Sequence, residues 1–197
     1  MARPREFDED VVLDAAMECF WSRGYEATSM RDLVEKTGVT GASLYNAFGD
    51  KRALYRRTLD RYVEGGIAER MKRCERLQPR ETIAAFFDDI VRRSLEDQDR
   101  KGCMLVNAAL DVAPHDPGFQ RAVAEVLARI EDFFRCCAER GQKLGTINAS
   151  LPAEELARHL LGVLMGIRVL ARVRPERAFL EGVLRPAMAL LDAKPQG

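Results

Sequence analysis

Apolar side chains return every three or four positions along nearly the whole chain, and no stretch alternates with a period of two. From Asp8 to Arg23, Val11, Val12, Ala15, Ala16, Cys19 and Phe20 recur at helical spacing, and Gly24 supplies the stop. A short second helix follows, with Thr28 or Ser29 as cap and Met30, Leu33 and Val34 inward. Asp50 caps a long fourth helix with Leu54, Leu59, Tyr62, Ile67 and Met71 inward, ending near Pro79. The rhythm resumes over 81–95, 102–112, 119–140, 152–173 and 176–192, with Pro186 expected to kink or break the last helix. Turn-forming clusters such as "DQDRKG" and "APHDPG" separate these stretches. An all-α fold of about nine helices is predicted, with the tail "AKPQG" frayed.

Hydrophobic residues make up 47% and charged residues 31% of the 197, which is ample for a packed core. A formal net charge of zero names no partner. The start, "MARPREFDED", lacks the apolar centre of a signal peptide. The longest apolar run, Leu160 to Ile167, is far below the roughly 20 residues of a membrane span. Five cysteines without repeated spacing read as free thiols in a reducing compartment. A soluble, cytoplasmic protein with no membrane partner is expected.

Within this helical pattern, "TGVTGASLYNAFGDK" (37–51) is small, polar and punctuated by glycine. At about 100° per residue, Leu44, Phe48 and Ala47 share one face. The opposite side carries Ala42, Tyr45 and Asn46, with Ser43 at its edge. Such a face can approach another surface closely and hydrogen-bond to it. Two short helices joined at "TGV" make a helix-turn-helix, whose second helix enters a DNA major groove. In that reading Asn46 reads a base edge and Ala42 touches a thymine methyl. Thr28, Ser29, Tyr45 and Lys51 hold phosphates, helped by amides at helix N-termini.

"GYEATSMRDLVEKTGVTGASLYNAFGDKRAL" resembles the DNA-binding domain of the TetR family of transcriptional regulators. The matching elements are Gly-Tyr-x-x-Thr-Ser before helix two, Gly-Val at the turn, Ser-Leu-Tyr-x-x-Phe on helix three and Lys51 opening helix four. "KGCMLVNAALDVAPHDP" and "LLGVLMGIRVLAR" look like phrases of one large subgroup. The resemblance implies phosphate roles for Thr28, Tyr45 and Lys51. It implies groove roles for Thr40, Gly41, Ala42, Ser43 and Asn46. Many members carry histidine where this chain has Ala47, so that contact is absent here. The implied organisation is a DNA-binding domain over 1–50 and a helical ligand-binding and dimerisation domain over 51–197, linked by helix four (51–77). The implied function is a ligand-responsive, homodimeric regulator, most often a repressor, with a double-stranded operator and a small-molecule effector as partners.

Charge supplies a counterweight. Residues 1–66 hold ten Lys/Arg against twelve Asp/Glu, a net of −2, which is no basic footprint. Lys51, Arg52, Arg56, Arg57 and Arg61 against Asp60 nevertheless give a local +4, and the acids gather in "EFDEDVVLDAAME". Salt-dependent DNA affinity is expected from that basic cluster.

Other residues suggest roles in the remaining helices. Phe86, Phe87, Met104, Phe119, Phe133, Phe134 and Met165 are candidates for a ligand cavity. Leu156, Leu160, Leu164, Ile167 and Leu170 form a stripe with Gly162 and Gly166, continued by Phe179, Val183 and Leu184. With the resemblance, that stripe reads as a two-fold four-helix interface. Cys103 follows Lys101-Gly102 at a helix start, where a thiol becomes more reactive, so thiol sensing is an alternative mode. His115 and His159 have no metal-ligand spacing, and no catalytic set, cofactor loop or metal cluster stands out. Neither an enzyme nor a cofactor is expected. Gly65-Gly66, inside the long fourth helix, is either a hinge or a site of close packing.

Overall fold

The computed structural model describes residues 7–192; the "MARPRE" start and the "AKPQG" tail lie outside the described residues. Helices α1 (Glu9–Arg23), α2 (Met30–Thr37), α3 (Gly41–Phe48) and α4 (Lys51–Tyr62) come first. A π-helical turn (Val63–Ala68) continues α4 directly into α5 (Glu69–Cys74). Then follow α6 (Pro79–Glu96), α7 (Met104–Asp111), α8 (Pro117–Lys143), α9 (Ala153–Val173) and α10 (Arg177–Leu191). With α4, the π turn and α5 counted as one rod, nine helices form, and the described residues contain no strand.

Local chemistry sets most boundaries. Asp8, Ser29, Thr40 and Asp50 each accept a hydrogen bond from an amide of the first turn they precede. Gly24 and Gly38 end α1 and α2 at positive φ, 85° and 70°. The long rod stops at Cys74, short of the expected Pro79. That proline instead opens α6, where its missing N–H has no intrahelical partner to lose. The break expected at Pro186 is absent: α10 runs through it. Gly182, whose carbonyl loses its donor, is exposed and can bond to water.

The chain divides into two compact units. One comprises residues up to Gly66 with Cys103–Gln120, the other Ile67–Gly102 with the residues from Arg121 onward. The division falls inside the π turn rather than at residue 50, because α4 packs along α1. Gly65 and Gly66 both lie in that turn, and a Cβ on either would meet nothing within 4 Å. Close packing therefore does not explain the pair.

In the first unit, Ala16, Phe20, Leu33, Leu44, Leu54, Tyr55 and Leu59 are buried. Val11, expected inward, is exposed instead. In the second unit, Phe86 meets Phe134 edge-on at 5.3 Å, and Phe87 stacks on Phe134 at 5.6 Å. Leu160, Leu164, Ile167, Leu180 and Leu184 pack in the same unit.

The second unit also buries an ion pair. Arg70, 4% exposed, donates from Nε to Asp89 at 2.5 Å. Arg92 and Arg93 donate to the same carboxylate. Burial pushes the Asp89 carboxyl upward, but the Arg70 and Arg92 guanidinium groups outweigh it and hold it well below the usual range. Removing one partner of a buried pair strands the other, so Asp89→Asn should cost about 3–5 kcal/mol at neutral pH. A depressed folded-state pKa contributes stability that is complete above about pH 4 and is lost as the pH falls below it. Urea unfolding of both proteins at pH 7 and pH 3 checks this: the gap between them should narrow at pH 3.

Candidate nucleic-acid interface

The segment 37–51 folds as its spacing predicts. Thr40 caps α3, accepting from the Ser43 amide at 3.2 Å and donating to the Ser43 hydroxyl at 3.0 Å. Leu44 and Phe48 anchor α3 in the first unit's core. The outward side presents Ala42 and Asn46, both exposed, and Tyr45, 52% exposed. Gly41 starts this helix without a clash, as its Cβ position lies 3.7 Å from Val34. A shallow helical face of small residues, one phenol and one amide is thus held on a fixed support.

The helix N-termini differ in charge. α2 is closed by a capping box in which Asp32 accepts from both the amide and the hydroxyl of Ser29. Those bonds, the hydroxyl's first, hold the Asp32 carboxyl down to about 2. Asp50 closes α4, accepting from the Ala53 amide at 2.7 Å. Of these three, α3 alone has no carboxylate at its cap or in its first turn, so its N-terminal amides face an anion without a competing charge.

Two of the expected phosphate contacts are reassigned. Thr28 is completely buried and its hydroxyl donates to the Gly24 carbonyl at 2.7 Å, which makes it a brace for the α1–α2 loop. Ser29 is exposed, but its hydroxyl is engaged by Asp32. The basic cluster on α4 is also largely spent within the first unit. Arg52 forms a bidentate pair with Asp116, Arg56 pairs with Asp60, and Arg57 with Glu9. Arg61 bridges Asp10 and Asp14. Acids of α1 are thus the partners of Arg57 and Arg61. Lys51 remains at the start of α4, its ammonium 4.3 Å from the centre of the Tyr25 ring. Arg31 and Lys36 on α2, not singled out from the sequence, are exposed.

This arrangement defines a helix-turn-helix DNA-binding unit. The sequence model described as "Bacterial regulatory proteins, tetR family" matches residues 12–58. "Tetracyclin repressor-like, C-terminal domain" matches 79–186. The chain is 31% identical to an uncharacterized HTH-type transcriptional regulator, YezE of Bacillus subtilis (strain 168), covering 98% of this chain and 100% of that one. It is also 31% identical to the HTH-type transcriptional repressor ComR of Escherichia coli (strain K12), covering 98% and 92%. Among solved structures, a cysteine-substituted form of the TetR family regulator CifR, complexed with 26-base-pair operator DNA, superposes with a TM-score of 0.85. It shares 33% identity, over 96% of this chain and all of that one. The chain belongs to the TetR family and is a DNA-binding transcriptional regulator.

The other candidate residues fall into place less completely. Phe86, Phe87 and Phe134 are sealed in their ring cluster, and Met104 and Phe119 are buried in the first unit. Met165 is half-buried on α9. Of the seven, Phe133 alone lines the cavity of about 490 Å³ in the second unit, beside Met71, Glu75, Thr82, Cys136 and Cys137. Cys136 is the exposed cysteine, whereas Cys103 is buried and accepts from the Tyr62 hydroxyl at 3.5 Å. Burial pushes the Cys137 thiol up to about 12. The expectation of a reactive Cys103 therefore gives way to Cys136 on grounds of access. Among the described residues, no three His, Cys, Asp or Glu side chains are grouped to hold a metal ion. None of their helices is long and apolar enough to cross a membrane.

The interface stripe splits in two. Leu156, Leu160, Leu164, Ile167 and Leu184 are buried within the protomer and cannot face a partner. Gly162, Gly166, Leu170, Phe179 and Val183 lie on the accessible side, with Val169, Val173, Gly182 and Leu190 beside them.

Separate substitutions distinguish positioning from reading. Lys51→Ala should weaken binding to all duplexes and reduce the salt slope by roughly one unit. Asn46→Ala should cost about 1–3 kcal/mol at one base position and relax preference there. Selection from randomised duplexes checks both; an unchanged sequence preference with uniformly lower affinity makes Asn46 a phosphate contact.

Proposed function

We propose that the protein is a ligand-responsive repressor that binds a pseudo-palindromic operator as a homodimer. The observation that carries this reading is the exposed face of Ala42, Tyr45 and Asn46 on a helix fixed from behind by Leu44 and Phe48. Tyr45 and Lys51 take phosphates, Thr40 to Ser43 lie along the groove, and Asn46 reads a base. A two-fold dimer presents two such helices about 34 Å apart, which is why the operator should be palindromic. Gel retardation with DNA from upstream of the protein's own gene tests this. A retarded band that unrelated DNA does not compete supports it, and no band at low salt overturns it.

Gly162, Gly166, Val169 and Val173 fall within about 60° on α9. Phe179, Val183, Pro186 and Leu190 repeat the same intervals on α10. Val173 is 79% exposed, and a Cβ on Gly162, Gly166 or Gly182 would meet nothing within 4 Å in the protomer. Two apolar, glycine-notched helices side by side suit a four-helix bundle with a second copy. Gly166→Leu should leave the protomer folded, since its side chain has room there, yet hold the facing helices apart. Sedimentation should find a folded monomer; a folded dimer would move the interface elsewhere.

The π turn is the proposed joint between effector and operator. It joins α4, which begins at Lys51, to α5 in the second unit, and its two glycines favour deformation by roughly 1 kcal/mol each. Gly65→Ala with Gly66→Ala clashes with nothing and stiffens the turn. The double variant should bind operator near normally and release it less readily with effector. By reciprocity, operator should weaken effector by the same reduced factor. Equal release by variant and wild type would place the coupling outside this turn. A second mode of response, thiol modification, is favoured by Cys136, an exposed thiol on the wall of the 490 Å³ cavity.

A further inference from the structure

Arg168 is 8% exposed, on the buried face of α9. Its Nη1 donates to the Ser94 hydroxyl on α6 at 3.2 Å. Among the described residues that neutral hydroxyl is its hydrogen-bond partner, and no carboxylate lies within ion-pair distance. Its other guanidinium nitrogens are not sealed from solvent. A largely buried cation whose protein partner is one hydroxyl, with its remaining nitrogens reachable from solvent, has donors available for an entering anion.

The surrounding protein does not provide one. Asp89, five positions before Ser94 on α6, already accepts from Arg70, Arg92 and Arg93. Burial pushes the Arg70 guanidinium down, Asp89 draws it up, and the charge of Arg168 adds to the downward push. The second unit thus holds two buried guanidinium groups near enough to repel, and Arg168 is the one without a carboxylate.

We infer that Arg168 binds the carboxylate of a small organic acid with an apolar body, and that this acid is the effector. A guanidinium fork has five donors in one plane and grips a carboxylate through two of them; here one donor is in use. One turn before Ser94 lie Ile90 and Val91, and one turn either side of Arg168 lie Leu164 and Ala171, all buried. One fixed charge among aliphatic side chains suits a singly charged acid better than a phosphate. Neutralising Arg168 removes its repulsion of Arg70, on α5, which continues through the π turn into α4. This assignment rests on the ligand-responsive reading above.

The test uses the full chain at constant ionic strength, with millimolar acetate, hexanoate or benzoate against hexanamide and inorganic phosphate. Hexanoate or benzoate should raise Tm, while hexanamide and phosphate should not. Arg168→Met should remain folded, since an apolar residue of similar volume replaces a buried charge, and should lose the response. Arg168→Lys keeps the charge without the fork and should raise the apparent Kd about tenfold. A Tm unmoved by all three acids, an equal response to hexanamide, or an undiminished response in either variant would overturn the assignment. Operator binding by the ligand-free protein is measured separately. Its failure would remove the regulator reading without touching the anion result, and its success beside an unmoved Tm would remove the anion site alone.

Discussion

The Tyr55 ring is the contact on which the geometry of the DNA-binding unit depends. It lies 4.9 Å from Phe20 of α1, 4.9 Å from Tyr25 of the following loop and 5.2 Å from Phe119 at the start of α8. Burial of such rings gives a large apolar contribution, and their tilted packing adds direction. Through this cluster α4 is seated against α1, and Tyr25 is placed under the Lys51 ammonium. The Arg52–Asp116 pair closes the same junction from outside, with Asp116 also accepting from the amides of Gly118 and Phe119. The Lys51 position is therefore set by residues up to sixty-eight positions away in the chain.

Helices, caps and the outward face of α3 were legible because each depends on residues within one or two turns. Ser29 and Asp50 cap as their positions suggest, and Leu44 and Phe48 turn inward on spacing alone. Nonlocal facts were not legible. Nothing near Phe119 in the sequence distinguishes a ring that supports α4 from one that lines a cavity. Thr28 carries the residue type of a phosphate contact, but its hydroxyl is committed to Gly24. The α9 stripe failed for a different reason: both sides of that helix are apolar. Periodicity identifies an apolar face without saying whether the protomer's core or another molecule covers it. Leu160 and Leu170 look alike in a hydropathy pattern, and only burial separates them.

Arginine in α9 posed the same difficulty in reverse. Arg168 follows an apolar run and reads as its polar boundary, yet it turns into the core to meet Ser94. A charged residue inside an otherwise apolar layer becomes visible only when α6 and α9 are brought together.

The pairing of the α4 arginines with α1 has a kinetic meaning. Arg57 pairs with Glu9 and Arg61 with both Asp10 and Asp14 across two packed helices, so neither arginine leaves unopposed positive charge at short range. Seen from a Debye length away, about 8 Å in physiological salt, such pairs project little field. A body of this kind gains little from random duplex, where counter-ion release supplies nearly all the affinity. Residence on arbitrary chromosomal sequence is then brief, leaving more molecules in free solution to search for an operator. The internal ion pairs thereby trade capture range for availability, and operator occupancy follows protein concentration more closely than it would for a strongly basic domain.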